Sequence, residues 1–112
     1  MYQVGDVVLC RFPFREDPTQ FTNRPALVMR VINNGLSYKL AQITTTNRTG
    51  RQHGFWIEMK TDMWKSMRLK QDSFINLSNI LEVPSFAIAK LIGTCQQMKE
   101  IDNKCNACSI IY

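Results

Sequence analysis

The chain has 112 residues, 45% of them apolar and 21% charged, and a formal net charge of +5. That composition excludes a disordered chain, and the length suffices to bury a core without the help of disulfides or a metal. No run approaches the roughly 20 apolar residues of a membrane helix, and Met1 leads into Gly5-Asp6 and an apolar stretch with no cationic leader. The expectation is one domain over residues 1–112, soluble and cytoplasmic. The charge is uneven: residues 1–70 carry eleven Lys and Arg against five Asp and Glu, whereas residues 71–112 carry three against four. A positive field of this kind attracts a polyanion such as RNA or DNA, although the same balance also serves ordinary solubility.

In chain order, Val4 to Phe12 reads as a first strand, with Val7, Val8, Leu9 and Cys10 as its β-forming or small apolar residues and Pro13 as its end. Residues 13–24 form a polar loop with two prolines, long enough to suggest binding. Pro25 to Ile32 is a second strand whose near-continuous apolar run implies burial on both faces. Asn33-Asn34-Gly35 predicts a hairpin turn, because Asn and Gly tolerate positive φ. Leu36 to Thr46 is the third strand, followed by the polar, basic loop Asn47 to Gly54. Phe55 to Met59 alternates as a fourth strand with Phe55, Ile57 and Met59 on one face. Thr61 to Asp72 is ambiguous between a helix, from the spacing of Met63, Trp64 and Met67, and a loop over the core.

Ser73 to Leu77 reads as another strand, with a further one near Ile80 to Val83. Beyond Pro84, Ile88, Leu91 and Ile92 predict a short helix that Gly93 stops. Thr94 then caps a last helix from Cys95 to about Cys108. Short strands joined by tight turns, with a helical end, predict a mainly β (α+β) fold: a small antiparallel barrel with a C-terminal helix.

The four cysteines do not read as a secreted disulfide framework. Cys10 lies in an apolar strand and Cys95 on the last predicted helix. Cys105 and Cys108 supply half of a zinc-site spacing, but the one histidine, His53, is more than fifty residues away and no second pair exists. No metal site is expected; on an amphipathic helix the two thiols stand one turn apart.

Gly5-Asp6-Val7-Val8-Leu9-Cys10-Arg11-Phe12-Pro13-Phe14, then Asn23-Arg24-Pro25-Ala26-Leu27-Val28, then Ile43-Thr44-Thr45 resemble the MazF/PemK toxin family. Ser73 to Leu77 and Ile88 to Gly93 fit its later strand and helix, so the likeness spans residues 4–95. The resemblance implies an SH3-like barrel that forms a homodimer. It also implies the toxin of a type II toxin–antitoxin pair, cutting single-stranded RNA without a metal or other cofactor and bound by a cognate antitoxin. Arg24 and Thr44 match the arginine and threonine that the family places in its active site. Where some members carry an Arg-x-Asp pair on the later strand, this chain has Asn76 and Ser78, and the first-loop histidine of some members is missing.

Cutting RNA by attack of the 2′-hydroxyl on phosphorus needs a base, an acid and donors for the charge building on the phosphoryl oxygens. The planar fork of Arg24 suits the last task, and the Thr44 hydroxyl can donate to phosphate or orient the nucleophile. Each residue also has an ordinary reading, as a pre-proline arginine and a β-branched strand residue. Thr45 and His53 are further catalytic candidates, imidazole being the side chain suited to moving a proton near neutrality. Glu16 and Asp17 act as a base only if burial raises their pKa. Arg15, Gln20, Asn23, Arg48 and Arg51 are the RNA-binding candidates, with Phe14, Phe21 and Trp56 available to stack bases. Phe12, Phe55, Met59 and Met67 are assigned to packing. Two rivals remain: a domain that binds nucleic acid or protein without cutting, motivated by Asn76 and Ser78, and a protein-directed toxin on the same barrel, whose Trp-Gly-Ile terminus is absent. The nuclease reading requires Arg24 and Thr44, twenty positions apart, to converge on one phosphate pocket.

Overall fold

The computed structural model describes residues 1–13 and 19–112. Phe14, Arg15, Glu16 and Asp17 lie outside the described residues. Among the described residues six strands, β1 (Asp6–Pro13), β2 (Phe21–Ile32), β3 (Ser37–Thr44), β4 (Gly54–Ile57), β5 (Ser73–Pro84) and β6 (Ile88–Thr94), precede one α-helix, α1 (Met98–Ala107). They form one sheet in the order β4-β5-β3-β2-β1-β6, every neighbouring pair antiparallel. The sheet curls without closing, so β4 and β6 remain edges and the barrel is only approximate.

Alternation along the central strands divides the core in two. Val7, Leu27, Met29, Ala41 and Ile43 pack on one face beneath Trp64 and Met67 of a 3₁₀ segment and Ile101 and Cys105 of α1. Val8, Cys10, Phe12, Ala26, Val28 and Leu40 pack on the other, closed by Val83 and Ile88 at the β5–β6 corner. Burial on both faces is why β2 reads as a continuous apolar run. Asn33, Asn34 and Gly35 adopt φ of 48°, 56° and 94° in the β2–β3 turn, as their residue types predict.

Four expectations need correction. The loop assigned to 13–24 is shorter: β1 and β2 pair as far as Pro13 with Phe21, so Asn23 and Arg24 lie on a strand. Pro13 at the strand's end withholds only one ladder donor. The two runs in 73–83 are one bent strand, because Ala41 pairs with Ile80 while Ile43 pairs with Ile75, so the bend takes up the extra β5 residues. The segment Ile88 to Gly93 is an edge strand and not a helix. Two register shifts against β1 break its alternation, so Ile88 is buried, Leu91 exposed and Ile92 half-buried, and apolar residues on a strand take a helical spacing. The last helix begins at Met98, not Cys95; Thr94 ends β6, and Cys95 N–H donates to Gly5 O at 2.7 Å. The ambiguous segment holds a 3₁₀ turn, Asp62–Met67, that lays Trp64 and Met67 into the core.

The far end of α1 is closed by a Schellman motif. Ser109 N–H donates to Asn106 O at 3.3 Å, and Ile110 N–H donates to Cys105 O at 2.8 Å. Ser109 supplies the left-handed residue, φ 55°, that glycine usually provides.

Candidate active site and the basic loop

Arg24 lies on β2 opposite Cys10, exposed, and its side chain has no hydrogen bond or ion pair among the described residues. Pro25 behind it biases its backbone to the extended form. Thr44 is the last residue of β3, half-buried and paired with Phe74; its Oγ1 accepts the Thr46 N–H at 3.2 Å. The β2–β3 register includes Ala26 with Gln42, and carried two residues further it sets Arg24 level with Thr44. Pleat alternation turns both toward the sheet face that carries Cys10 and Ala26. The two therefore share a face on adjacent strands, an exposed fivefold donor beside a hydroxyl.

Thr45 and Pro25, their next neighbours in the chain, turn the other way. They line a cleft of about 440 Å³ on the opposite face, between β6 and the segment following the 3₁₀ turn. Neither Arg24 nor Thr44 lines that cleft.

The basic loop between β3 and β4 is ordered by its own hydrogen bonds. Asn47 Oδ1 accepts from the Thr49 N–H at 3.0 Å and the Thr49 hydroxyl at 2.9 Å. Arg51 and Gln52 N–H groups both donate to Arg48 O at 2.9 Å. The loop is then tied to β5 at the bend. Asn76 Nδ2 donates to Gln52 Oε1 at 3.0 Å, the His53 N–H donates to Ser78 Oγ at 2.8 Å, and the Ser78 N–H donates to Asn76 Oδ1 at 2.9 Å. Asn76 and Ser78 thus anchor the loop that presents Arg48 and Arg51. Arg51 is exposed and Arg48 half-buried; neither has a carboxylate partner among the described residues.

His53 is not isolated: its Nδ1 lies 3.4 Å from Cys108 Sγ, across 55 residues of chain. Cys105 is buried one turn before Cys108, and burial, followed by the charges of Asp102 and Cys108, pushes its thiol pKa up. Burial likewise raises Cys95, and it lifts Cys10 to about 11. All four are free thiols, and no group of three His, Cys, Asp or Glu side chains among the described residues is arranged to hold a metal.

The remaining candidates are dispersed. Gln20 and Asn23 are exposed; Asn23, opposite Arg11, points away from the Arg24 face by alternation. Phe21 is 51% exposed with the Arg11 guanidinium 5.0 Å from its ring centroid, whereas Trp56 is half-buried on β4. Sequence reading passed over Arg11, and over Arg68, Lys70 and Lys90 at the cleft. Nothing in the local sequence marks these four cations, which become informative only once the strands are placed.

A family model for PemK-like, MazF-like toxins of type II toxin–antitoxin systems matches residues 3–107, and the chain belongs to that family. No curated protein matches it. Among solved structures it is similar to the Mycobacterium tuberculosis toxin MazF-mt6, with TM-score 0.66 and 18% identity over 96% of this chain and 99% of that one. It is also similar to an endoribonuclease in complex with its cognate antitoxin from a mycobacterial species, with TM-score 0.69 and 17% identity over 100% of this chain and 99% of that one. At these identities the likeness is one of fold. No helix among the described residues is long and apolar enough to cross a membrane.

Proposed function

We propose that the chain is a metal-independent endoribonuclease toxin that cuts single-stranded RNA in the cytoplasm, acts as a homodimer and is silenced by a cognate antitoxin. The observation that carries this reading is that the β2–β3 register, continued two residues past Ala26 and Gln42, sets Arg24 and Thr44 on one sheet face, with an ordered basic loop following β3. Arg24 grips two non-bridging oxygens of the scissile phosphate and neutralises the charge that builds as the 2′-hydroxyl attacks. Thr44 donates to the same phosphate or orients the attacking hydroxyl. Arg48 and Arg51 hold the flanking backbone, Gln20 and Asn23 are the further binding candidates, and His53 is the candidate for proton transfer at the loop's end. The antitoxin partner and the RNA substrate follow the relatives' behaviour and the basic first two-thirds of the chain.

The test is cleavage of a mixed RNA pool, with a chelator present, by the purified protein and by an Arg24→Ala form. Losing one preorganised donor to a developing oxyanion slows cleavage by about 10²–10³-fold. Because Arg24 is exposed, the variant should melt with the wild type. Equal cutting by both removes Arg24 from the mechanism. The second reading, a domain that binds without cutting, is favoured by the engagement of Asn76 and Ser78 in loop anchoring. Salt-sensitive RNA binding by wild type with no cut ends would establish it.

A further inference from the structure

The cleft on the opposite face has a chemistry of its own. Arg68, Lys70 and Lys90 bring three cations to its walls, and no carboxylate among the described residues lines it. The ion pairs of the described residues, Lys39–Glu82, Lys60–Glu58 and Lys65–Asp62, leave those three cations unmatched. Leu9, Pro25 and Leu91 supply apolar surface, and Leu91 is 52% exposed on the edge strand. The Thr45 hydroxyl is the short donor at the same site; the Ser73 hydroxyl is already given to Gln71 O at 2.8 Å. An apolar surface bordered by unmatched cations suits a ligand with one flat apolar part and one anionic part. At about 440 Å³ the cleft falls in the size range of small-ligand sites, roughly 300–1,000 Å³.

We propose that this cleft binds one nucleotide of the RNA strand that reaches Arg24 and Thr44, which deepens the nuclease reading and rests on it. The base lies against Leu9, Pro25 and Leu91, and the adjoining phosphate is held by Lys70 and Lys90, with Arg68 at the rim. Connectivity supports the assignment. Pro25 and Thr45, which line the cleft, directly follow Arg24 and Thr44, which face the other way at the end of the β2–β3 pairing. A strand passing around that end meets the scissile-phosphate donors on one side and the cleft on the other. The cleft is therefore a specificity and binding subsite, and its residues touch no reacting atom.

The experiment pairs a Lys70→Gln/Lys90→Gln variant with a Lys99→Gln control, whose cation lies on α1 away from the cleft. One lost phosphate contact on a single strand reduces the slope of log affinity against log salt by about 0.7. The variant should raise KM for a short RNA substrate with kcat unchanged, while the control matches wild type. In parallel, a non-cleavable 2′-O-methyl tetranucleotide is titrated into ¹⁵N-labelled wild type and Arg24→Ala protein, and shifts are expected at Thr45 and Leu91 in both. That arm decides the cleft even if the wild type cuts no RNA, so failure of the subsite and failure of the nuclease reading are told apart. Unchanged KM and salt slope in the double variant overturn the proposal. So does a tetranucleotide that leaves Thr45 and Leu91 unmoved while an acidic poly-glutamate peptide shifts them.

Discussion

Replacing Gly93 by alanine tests how closely β6 is held against the 3₁₀ turn. A Cβ on Gly93 would stand 2.5 Å from Met67 O, 2.6 Å from Ser66 O and 2.7 Å from Met67 C. All three are backbone atoms, so no side-chain rotation relieves the clash. Either β6 gives up its pairing at Val7, or the turn lifts and takes Trp64 and the fully buried Met67 with it. Overpacking a core costs about 1–3 kcal/mol, and withdrawing a buried methionine approaches the ~2–5 kcal/mol of its truncation. Against this, alanine stabilises by ~0.4–1 kcal/mol through the unfolded chain. The net expectation is a loss of about 2–3 kcal/mol, which at ~2.1 cal/mol/K per residue lowers Tm by roughly 10 °C. Gly50 is the control, since a Cβ there meets nothing within 4 Å, and Gly50→Ala should be neutral or stabilising. Thermal and urea unfolding of both variants, followed by circular dichroism beside wild type, reads the difference. A Gly93→Ala protein melting within about 2 °C of wild type, or a Gly50→Ala protein equally damaged, refutes the steric argument.

Other consequences are as direct. Ser109→Gly relieves the left-handed residue of the Schellman cap and should stabilise by about 0.5–1 kcal/mol in urea unfolding; no gain, or a loss, means that the serine side chain contributes a contact that offsets its strain. Tyr112 has its phenol pKa pushed up from 10 to about 12, first by burial and then by the 2.7 Å hydrogen bond it donates to Asp102. A raised pKa for this acid means that its stabilisation is complete below pH 10 and fades as pH climbs to about 12. Tyr112→Phe should therefore lie below wild type at pH 8 and close the gap above pH 11 in Tm measurements; a constant gap refutes the linkage. Native alkylation at pH 8 followed by mass spectrometry should label Cys108 well before the other three thiols, with Cys10 reacting only on unfolding, because it is fully buried and its pKa stands near 11. Labelling of Cys10 at the same rate as Cys108 would show that β1 opens freely.

Much of the fold was legible in local chemistry. Asn33-Asn34-Gly35 has the residue types for consecutive positive φ values, and the near-continuous apolar run of β2 reveals burial on two faces. The mistaken elements fail for one physical reason. The helix expected at Ile88 to Gly93 and the split strand in 73–83 both lie where a bulge or bend disturbs the period of two, and a sequence window has no means of distinguishing a shifted strand from a helical stripe. The site divides the same way. Arg24 and Thr44 carried a recognisable neighbourhood, whereas the anchoring role of Asn76 and Ser78 depends on a bend that brings β5 beside His53.

Residue order alone determined most of the segments that extend, the Asn33-Asn34-Gly35 turn, many of the positions that avoid water and which family the chain joins, because these follow from side-chain shape, φ preference and short-range pattern. Only the tertiary structure decided that Arg24 and Thr44 share a face while Pro25 and Thr45 open onto another, that His53 meets Cys108, and that Arg68, Lys70 and Lys90 border one cleft. Those relations join residues as far as 55 positions apart. They exist because strand register, set by the packing of both core faces together, brings distant stretches of chain to the same few ångströms.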